Sequence, residues 1–158
     1  MAQEIRALLN NTVARVEAVV PRTTHDESGT FAHVETAIDA EDLVDNPRSR
    51  RFVVVPTGAW DAGADVHQVA ELPWVTTELE VGIVYRQGHS AWETTRTILE
   101  DVDEIAYELT RTDGDRYEAS TTELWRRRVL GYGIEPAAAK GGGTILRLRV
   151  ECSYRPKF

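Results

Sequence analysis

The chain has 158 residues, of which 42% are hydrophobic and 28% are charged, an ordinary composition for one globular domain. The formal net charge of -8 argues against wrapping duplex nucleic acid, because neutralising phosphates requires a basic surface. The single cysteine, Cys152, excludes an internal disulfide and a multi-cysteine metal site. We therefore expect one domain over residues 1–158, with a buried thiol and no membrane span, made and used in a reducing cytosol.

The first third of the chain predicts one helix and one secure strand. Residues 2–20 carry apolar side chains at helical spacing, and Pro21 ends the pattern. Residues 31–39 alternate poorly and predict at most a short strand, whereas residues 40–51 are polar and contain Asn46-Pro47, which disfavours helix at Asn46. Residues 51–56 form a compact run of β-branched residues that is typical of a strand.

Residues 57–73 form a long loop with an unusual apolar content. Loops of this length are uncommon in compact domains and are usually functional or disordered. Exposed aromatic and aliphatic residues of this kind tend to mark contact with another subunit. The alternative is a loop folded back over its own sheet; we favour the interface. The apolar residues concerned are Trp60, Val66, Val69, Leu72 and the adjacent Trp74.

The clearest pattern is a strand over residues 75–86 followed by a helix over residues 90–111. The strand alternates strictly, which predicts one buried face and one wet face. Ser90 and Glu93 have the spacing of a capping box at the start of the helix. The predicted buried side chains are Val75, Thr77, Leu79, Val81, Ile83 and Tyr85 on the strand, and Thr95, Ile98, Leu99, Val102, Ile105, Ala106 and Leu109 on the helix.

Two further strands are predicted, over residues 124–132 and 145–154. The last of these alternates cleanly, with Leu148 and Cys152 facing the core and arginines facing out. The solvent-facing side chains of residues 145–154 include arginines, whereas those of residues 75–86 include glutamates. Opposite charges favour cross-strand pairs, so the two strands are candidate neighbours. The predicted fold is α+β: a mostly antiparallel β-sheet with two amphipathic helices packed on it.

Motifs for catalysis, cofactors and metals are weak. The glycines between Lys140 and Thr144 lack the order of a phosphate-binding loop and precede a strand. Asp61, Asp65 and His67 match no spacing that we can justify for a metal site. We therefore expect no catalytic residues, no cofactor and no bound metal.

The order of these elements resembles that of tail terminator proteins of long-tailed bacteriophages, and of related head–tail joining proteins. An N-terminal amphipathic helix precedes a Phe-Val-Val-Val strand, a long loop, a Leu-Glu-Val-Gly-Ile-Val-Tyr strand and a capped helix. The chain then closes on Leu-Arg-Leu-Arg-Val-Glu-Cys-Ser-Tyr, the most suggestive part of the likeness. The resemblance covers most of the chain and is one of layout.

The resemblance implies a structural virion protein at the head–tail junction, made in the cytoplasm of a host bacterium. Such proteins form a hexameric ring that caps the tail tube and joins it to the neck. The implied partners are other copies of the chain, the tail tube protein and the neck or connector protein. DNA would pass through an acidic lumen without specific binding. The candidate lumen residues are Glu100, Asp101, Asp103, Glu104 and Glu108.

A ring requires a heterologous contact, in which one patch meets a different patch on the next subunit. We expect the loop and Trp74 to meet a sheet edge, or the strand carrying Arg126 and Arg128, of the neighbouring subunit. Asp61 and Asp65 would then set the orientation of the contact through these arginines.

Three other functions remain open. The nearest is another neck component, either a head-completion or connector protein or a minor tail-tube protein. A different class is a small cytosolic enzyme or ligand-binding α+β domain, and a third is a monomeric accessory protein. The inward positions of the two best strands are almost all apolar, which leaves little to bind or polarise a substrate.

Overall fold

The computed structural model describes residues 2–24, 28–45, 48–57, 75–87, 90–111, 118–119, 122–136 and 143–156, and their fold is α+β as predicted. The two helices are α1 (Ala2–Glu17) and α2 (Ala91–Thr110), and a short 3-10 helix spans Ala40–Leu43. The strands are β1 (Ala32–His33), β2 (Arg51–Pro56), β3 (Val75–Arg86), β4 (Glu118–Ala119), β5 (Thr122–Pro136) and β6 (Gly143–Pro156).

The described strands form one sheet in the order β1-β2-β3-β6-β5-β4. Every neighbouring pair is antiparallel except β1 and β2. β3 and β6 pair along their length, with Leu79 opposite Val150 and Glu80 opposite Arg149. This register brings the alternating apolar residues of both strands onto one face, which confirms that the two strands are neighbours.

Both helices pack on that face and enclose the main core. Leu8 and Val16 of α1 meet Ile98 and Ile105 of α2 above the sheet, and all four are buried. The predicted strand alternation is confirmed where side chains are described. On this face the fully buried residues of the sheet include Phe52 of β2, Leu79, Val81, Ile83 and Tyr85 of β3, and Leu146, Leu148, Val150, Cys152 and Tyr154 of β6.

The buried stripe of α2 differs from the predicted one. Asp101 lies inside, together with Thr94 and Thr97, whereas Leu99 is 41% exposed. The apolar periodicity alone predicted Leu99 inward, and that prediction is wrong. The physical reason is that Asp101 ion-pairs with a buried arginine, so the helix presents a polar position to the core and turns Leu99 outward.

The opposite face of the sheet is not uniformly wet. The segment around the 3-10 helix packs on it and forms a second, smaller core. Gly82 permits this approach, because a Cβ atom there would lie 2.5 Å from the Cβ of Ala40. The polar composition of residues 40–51 did not indicate this packing, and Asn46, where helix was disfavoured, lies outside the described residues. The buried residues of this small core are Ala40, Leu43, Val44, Val53, Val84 and Ile145.

The remaining differences concern element ends. α1 ends at Glu17 instead of residue 20, although Val19 still packs into the core. β5 and β6 are both longer than predicted, and β5 contains two register shifts where it pairs with β6. Ser90 begins α2 as predicted, since its Oγ accepts a hydrogen bond of 3.2 Å from the backbone N–H of Glu93.

Candidate functional site

Arg50, Tyr85 and Asp101 form a buried cluster of hydrogen-bonded polar side chains. Arg50 binds Asp101 through two hydrogen bonds, from Nε to Oδ2 at 2.9 Å and from Nη2 to Oδ1 at 3.1 Å. The Tyr85 hydroxyl donates to Oδ2 of the same carboxylate at 2.6 Å. The Arg50 cluster, as we call these three residues, therefore joins the segment before β2 to β3 and to α2.

The backbone around Arg50 explains how its side chain reaches the interior. Arg50 has a φ of 61°, in the left-handed region that residues with a side chain rarely adopt. Its N–H donates to the carbonyl of Val84 at 2.8 Å, and its carbonyl accepts from the N–H of Ala32 at 3.1 Å. The guanidinium also donates to the carbonyl of Ser28 and lies 5.6 Å from the ring centre of Phe31. These contacts on two sides hold the strained residue in place.

Burial determines what the Arg50 cluster does. Arg50, Tyr85 and Asp101 each have 0% exposed surface. Burial, reinforced by the negative charge of Asp101, raises the pKa of Tyr85 well above 10, so its hydroxyl remains a protonated donor. A substrate could not contact these side chains, because none of them has exposed surface. The geometry therefore favours a structural junction over a catalytic centre.

A second buried arginine, Arg127, lies on β5 beneath α1. Its Nη2 donates to the side-chain oxygen of Asn11 and, at 3.0 Å, to the hydroxyl of Thr12. Cys152 lies directly opposite on β6, and burial raises the pKa of its thiol to about 11. The thiol is therefore neutral near pH 7, which does not suit it to act as a nucleophile. The predicted burial of Cys152 is confirmed.

The face of the sheet away from the helices carries a network of ion pairs around Arg147. Its guanidinium contacts Asp39 at 3.1 Å, Glu80 at 2.6 Å and Glu135 at 2.5 Å. Burial disfavours the charged guanidinium, but the hydrogen bonds to these carboxylates outweigh it and raise the pKa of Arg147. Burial likewise acts to raise the pKa of Asp39, and the hydrogen bonds from Arg147 and the Ala40 N–H lower it overall. Arg147 thus ties the 3-10 segment to three strands.

The charge pairing continues along the same face. Arg149 contacts Glu78 at 2.7 Å, and Arg128 contacts Glu151 at 3.1 Å. These pairs confirm the predicted proximity of Glu78 and Glu80 to Arg147 and Arg149. Three carboxylates surround the single guanidinium of Arg147, whereas Arg149 and Arg128 each contact one carboxylate.

The structure corrects one of the predicted lumen residues. Asp101 has no exposed surface and is the carboxylate of the Arg50 cluster, so the prediction that it faces a lumen is wrong. Asp103 is exposed on α2. The other three carboxylates form ion pairs at the helix surface: Glu100 with Arg96 at 3.2 Å, Glu104 with Arg22 at 2.6 Å, and Glu108 with Arg111 at 3.0 Å.

The predicted interface falls mostly outside the described residues. This holds for Trp60, Asp61, Asp65, Val66, Val69, Leu72 and Trp74. Arg126 lies on β5 opposite Ser153 of β6. The side chain of Arg128 is 57% exposed on the face away from the helices. The loop residues of the proposed contact lie outside the described residues, so the contact remains a prediction.

Sequence reasoning missed two exposed apolar surfaces. On β5, Leu130, Tyr132 and Ile134 are all more than a third exposed. Tyr132 lies opposite Leu148 and Ile134 opposite Leu146, so both are on the helix side of the sheet. The signal was present as alternation in Leu-Gly-Tyr-Gly-Ile, but alternation does not reveal whether a helix reaches the strand. The second surface is on α2, where Trp92, Leu99 and Tyr107 are exposed.

The described residues contain neither a metal-binding cluster nor a membrane-spanning helix. No three His, Cys, Asp or Glu side chains in this part of the chain converge to hold a metal ion. Neither described helix is long and apolar enough to cross a membrane.

Comparison with known proteins adds no assignment. No protein-family model matches the chain, and no curated protein matches it. The function has to be argued from the residues and their geometry.

Proposed function

We propose that the protein is a structural subunit that assembles with copies of itself into a ring. As the resemblance to tail terminators implies, the ring would cap a phage tail tube, join it to the neck and let DNA pass. The observation that carries the proposal is the outer edge of β5. β4 pairs with β5 only at Thr122 and Glu123, and the rest of that edge has no partner strand among the described residues.

An unpaired strand edge presents backbone donors and acceptors that another strand can satisfy. β5 spans 15 residues, which is long for an edge strand. Proteins that remain monomeric usually protect such edges with charges, prolines or short strands. Here Leu130, Tyr132 and Ile134 supply exposed apolar side chains beside the unpaired backbone. We infer that this surface, the β5 edge, receives a segment of the neighbouring subunit.

The neighbour's segment would differ from the β5 edge, since a closed ring needs two unlike patches. Our candidate remains the loop of residues 57–73 with Trp74, whose apolar side chains would meet the β5 edge. Asp61 and Asp65 would then approach Arg126 and Arg128 and orient the contact.

The interior disfavours the enzyme and ligand-binding alternatives. Most side chains beneath the helices are apolar, and the buried charges of Arg50 and Asp101 are paired with each other. A small-molecule site needs a concave pocket with a few convergent polar groups. The accessible features of this fold are surfaces suited to other proteins.

Light scattering combined with negative-stain imaging of the full chain tests the proposal, alone and with purified tail tubes. We expect rings, or binding of the chain to tube ends. Tyr132→Asp should reduce assembly, because it places a charge in the contact, while leaving the thermal transition near that of the wild type. Val20→Asp is the control, since it places the same charge on another exposed apolar residue, which lies after α1 and outside β5.

Two outcomes would contradict the proposal. One is a monodisperse monomer that forms no ring and does not bind tail tubes. The other is full assembly by Tyr132→Asp and by Trp74→Asp, which would remove both proposed patches from the contact. Binding to the head-side connector without binding to tail tubes would identify the chain as a connector or completion protein.

A further inference from the structure

The solvent side of α2 carries an apolar stripe that no other described element covers. Trp92 is 73% exposed, Leu99 41% and Tyr107 63%. They are spaced by seven and eight residues, about two helical turns each, and at ~100° per residue they fall within roughly 80° of one another. The buried residues Asp101 and Ile105 lie on the other side of the helix. We call this surface the α2 stripe.

Two opposite charges lie within the α2 stripe. Arg96 and Asp103 fall between the three apolar residues, by the same rotation of ~100° per residue. The side chain of Arg96 is 67% exposed while its Nε contacts Glu100 of the same helix at 3.2 Å, and Asp103 is also exposed. The stripe is therefore positive toward its N-terminal half, apolar at Leu99 and negative toward its C-terminal half.

We propose that the α2 stripe is a two-fold contact between two copies of this chain, with the helices antiparallel. When Leu99 faces Leu99 of the second copy, Arg96 lies opposite Asp103 and Trp92 lies opposite Tyr107. Two-fold symmetry makes each of these contacts twice. A parallel arrangement would instead oppose like charges, Arg96 with Arg96 and Asp103 with Asp103. The charge order thus selects both the second copy as the occupant and the direction of its helix.

The size of the contact predicts a weak dimer. α2 has 20 residues and is about 30 Å long, so one pair of helices buries less than the ~1,200 Å² of most stable interfaces. We expect a dissociation constant in the micromolar range. The contact closes after two copies, whereas the proposed ring contact is heterologous and uses the β5 edge. The two proposals therefore stand or fall separately.

Charge reversal on the full chain gives the sharpest test, by analytical ultracentrifugation across the micromolar range. Arg96→Asp alone, or Asp103→Arg alone, places like charges opposite each other twice and should weaken dimerisation about tenfold. The double variant restores opposite charges in reversed order and should dimerise within a few-fold of the wild type. Thermal unfolding of each variant checks the fold, which should be retained because both side chains are exposed.

Cysteine cross-linking detects the same contact even when the chain is already part of a larger assembly. Leu99→Cys places thiols on the two-fold axis, so mild oxidation should yield a covalent dimer quickly. Ile38→Cys is the matched control, because Ile38 is also an exposed aliphatic residue but lies before the 3-10 helix. Cys152 is buried and should not contribute.

The proposal is overturned if the chain shows no dimer in the micromolar range and Leu99→Cys cross-links no faster than Ile38→Cys. It is also overturned if the double charge variant associates as weakly as the single variants. Binding of the α2 stripe to the tail tube protein, with no contact between copies, would assign the stripe to a different partner and reject the dimer.

Discussion

The two faces of the sheet contain the same kinds of charged group in very different surroundings. On the helix side, Arg50 and Asp101 form an ion pair with side chains 0% and 1% exposed. On the other side, Arg149 and Glu78 form an ion pair of similar length with side chains 59% and 28% exposed. Water screens the second pair and cannot reach the first. Losing one partner should therefore cost much more stability in the buried pair than in the exposed pair, although the distances are similar.

The faces also differ in how they are covered. The helix side is closed by two long elements and a continuous apolar core. Among the described residues, the 3-10 segment covers the other side where it lies over Gly82, and ion pairs lie along other parts of that face. We infer that the helix side determines the stability of the domain, whereas the other side determines the alignment of its strands and the position of one segment. Four predictions test that division.

Asp101→Ala should have the largest effect, lowering the free energy of unfolding by about 3–5 kcal/mol, because it leaves Arg50 buried without its counter-charge. Urea denaturation followed by circular dichroism measures the loss. Asp103→Ala is the matched control: it removes an exposed carboxylate from the same helix and should change stability by less than about 0.5 kcal/mol. Equal effects of the two variants would refute the structural role of the Arg50 cluster.

Cys152 should make the helix side sensitive to alkaline pH. Its pKa is raised from 9.0 to about 11 in the folded protein, so its contribution is complete below pH 9. The contribution is lost as the pH rises from 9 to 11, because the unfolded chain releases the proton first. The expected loss is about 2 kcal/mol.

The check is the unfolding free energy of the wild type and of Cys152→Ala at several pH values from 8 to about 11. The raised pKa of Tyr85 contributes in the same direction above pH 10, and the difference between the two proteins removes it. Parallel curves for the two proteins would show that the thiol titrates normally.

Gly82→Ala should destabilise the other face by about 1–3 kcal/mol, since the added Cβ would lie 2.5 Å from the Cβ of Ala40. Gly131→Ala is the control, because a Cβ there meets nothing within 4 Å. Thermal unfolding of both variants measures the difference. A lowered transition for Gly131→Ala alone would place the close approach elsewhere.

Arg147→Met should have the smallest of the four effects, about 1 kcal/mol, because its contacts with carboxylates are partly exposed to water and therefore partly screened. The expected local signature is faster hydrogen exchange in the 3-10 segment, which Arg147 holds through Asp39. Arg149→Met removes a single, more exposed pair and should leave both stability and exchange close to the wild type. Unchanged exchange in both variants would mean that apolar packing alone holds the segment.

The sequence by itself determined the elements that have strong periodicity. β3 and β6 alternate because each has one face in the core, and their opposite charges indicated that they are neighbours. The start of α2 was readable from Ser90, because an N-cap is a local interaction between residues three apart. The bounds of β2 were also predicted correctly.

Only the tertiary structure decided the rest. In the sequence, Asp101 resembles the surface carboxylates around it. Its burial depends on Arg50, which is 51 residues away. The side chain of Arg50 reaches the core because its backbone adopts an unusual conformation. The exposure of Tyr132 and the burial of Ala40 depend on how far each covering element extends over the sheet. A sequence pattern records which side of its own element a residue occupies; the partner that covers or leaves open that side is set by packing between distant parts of the chain.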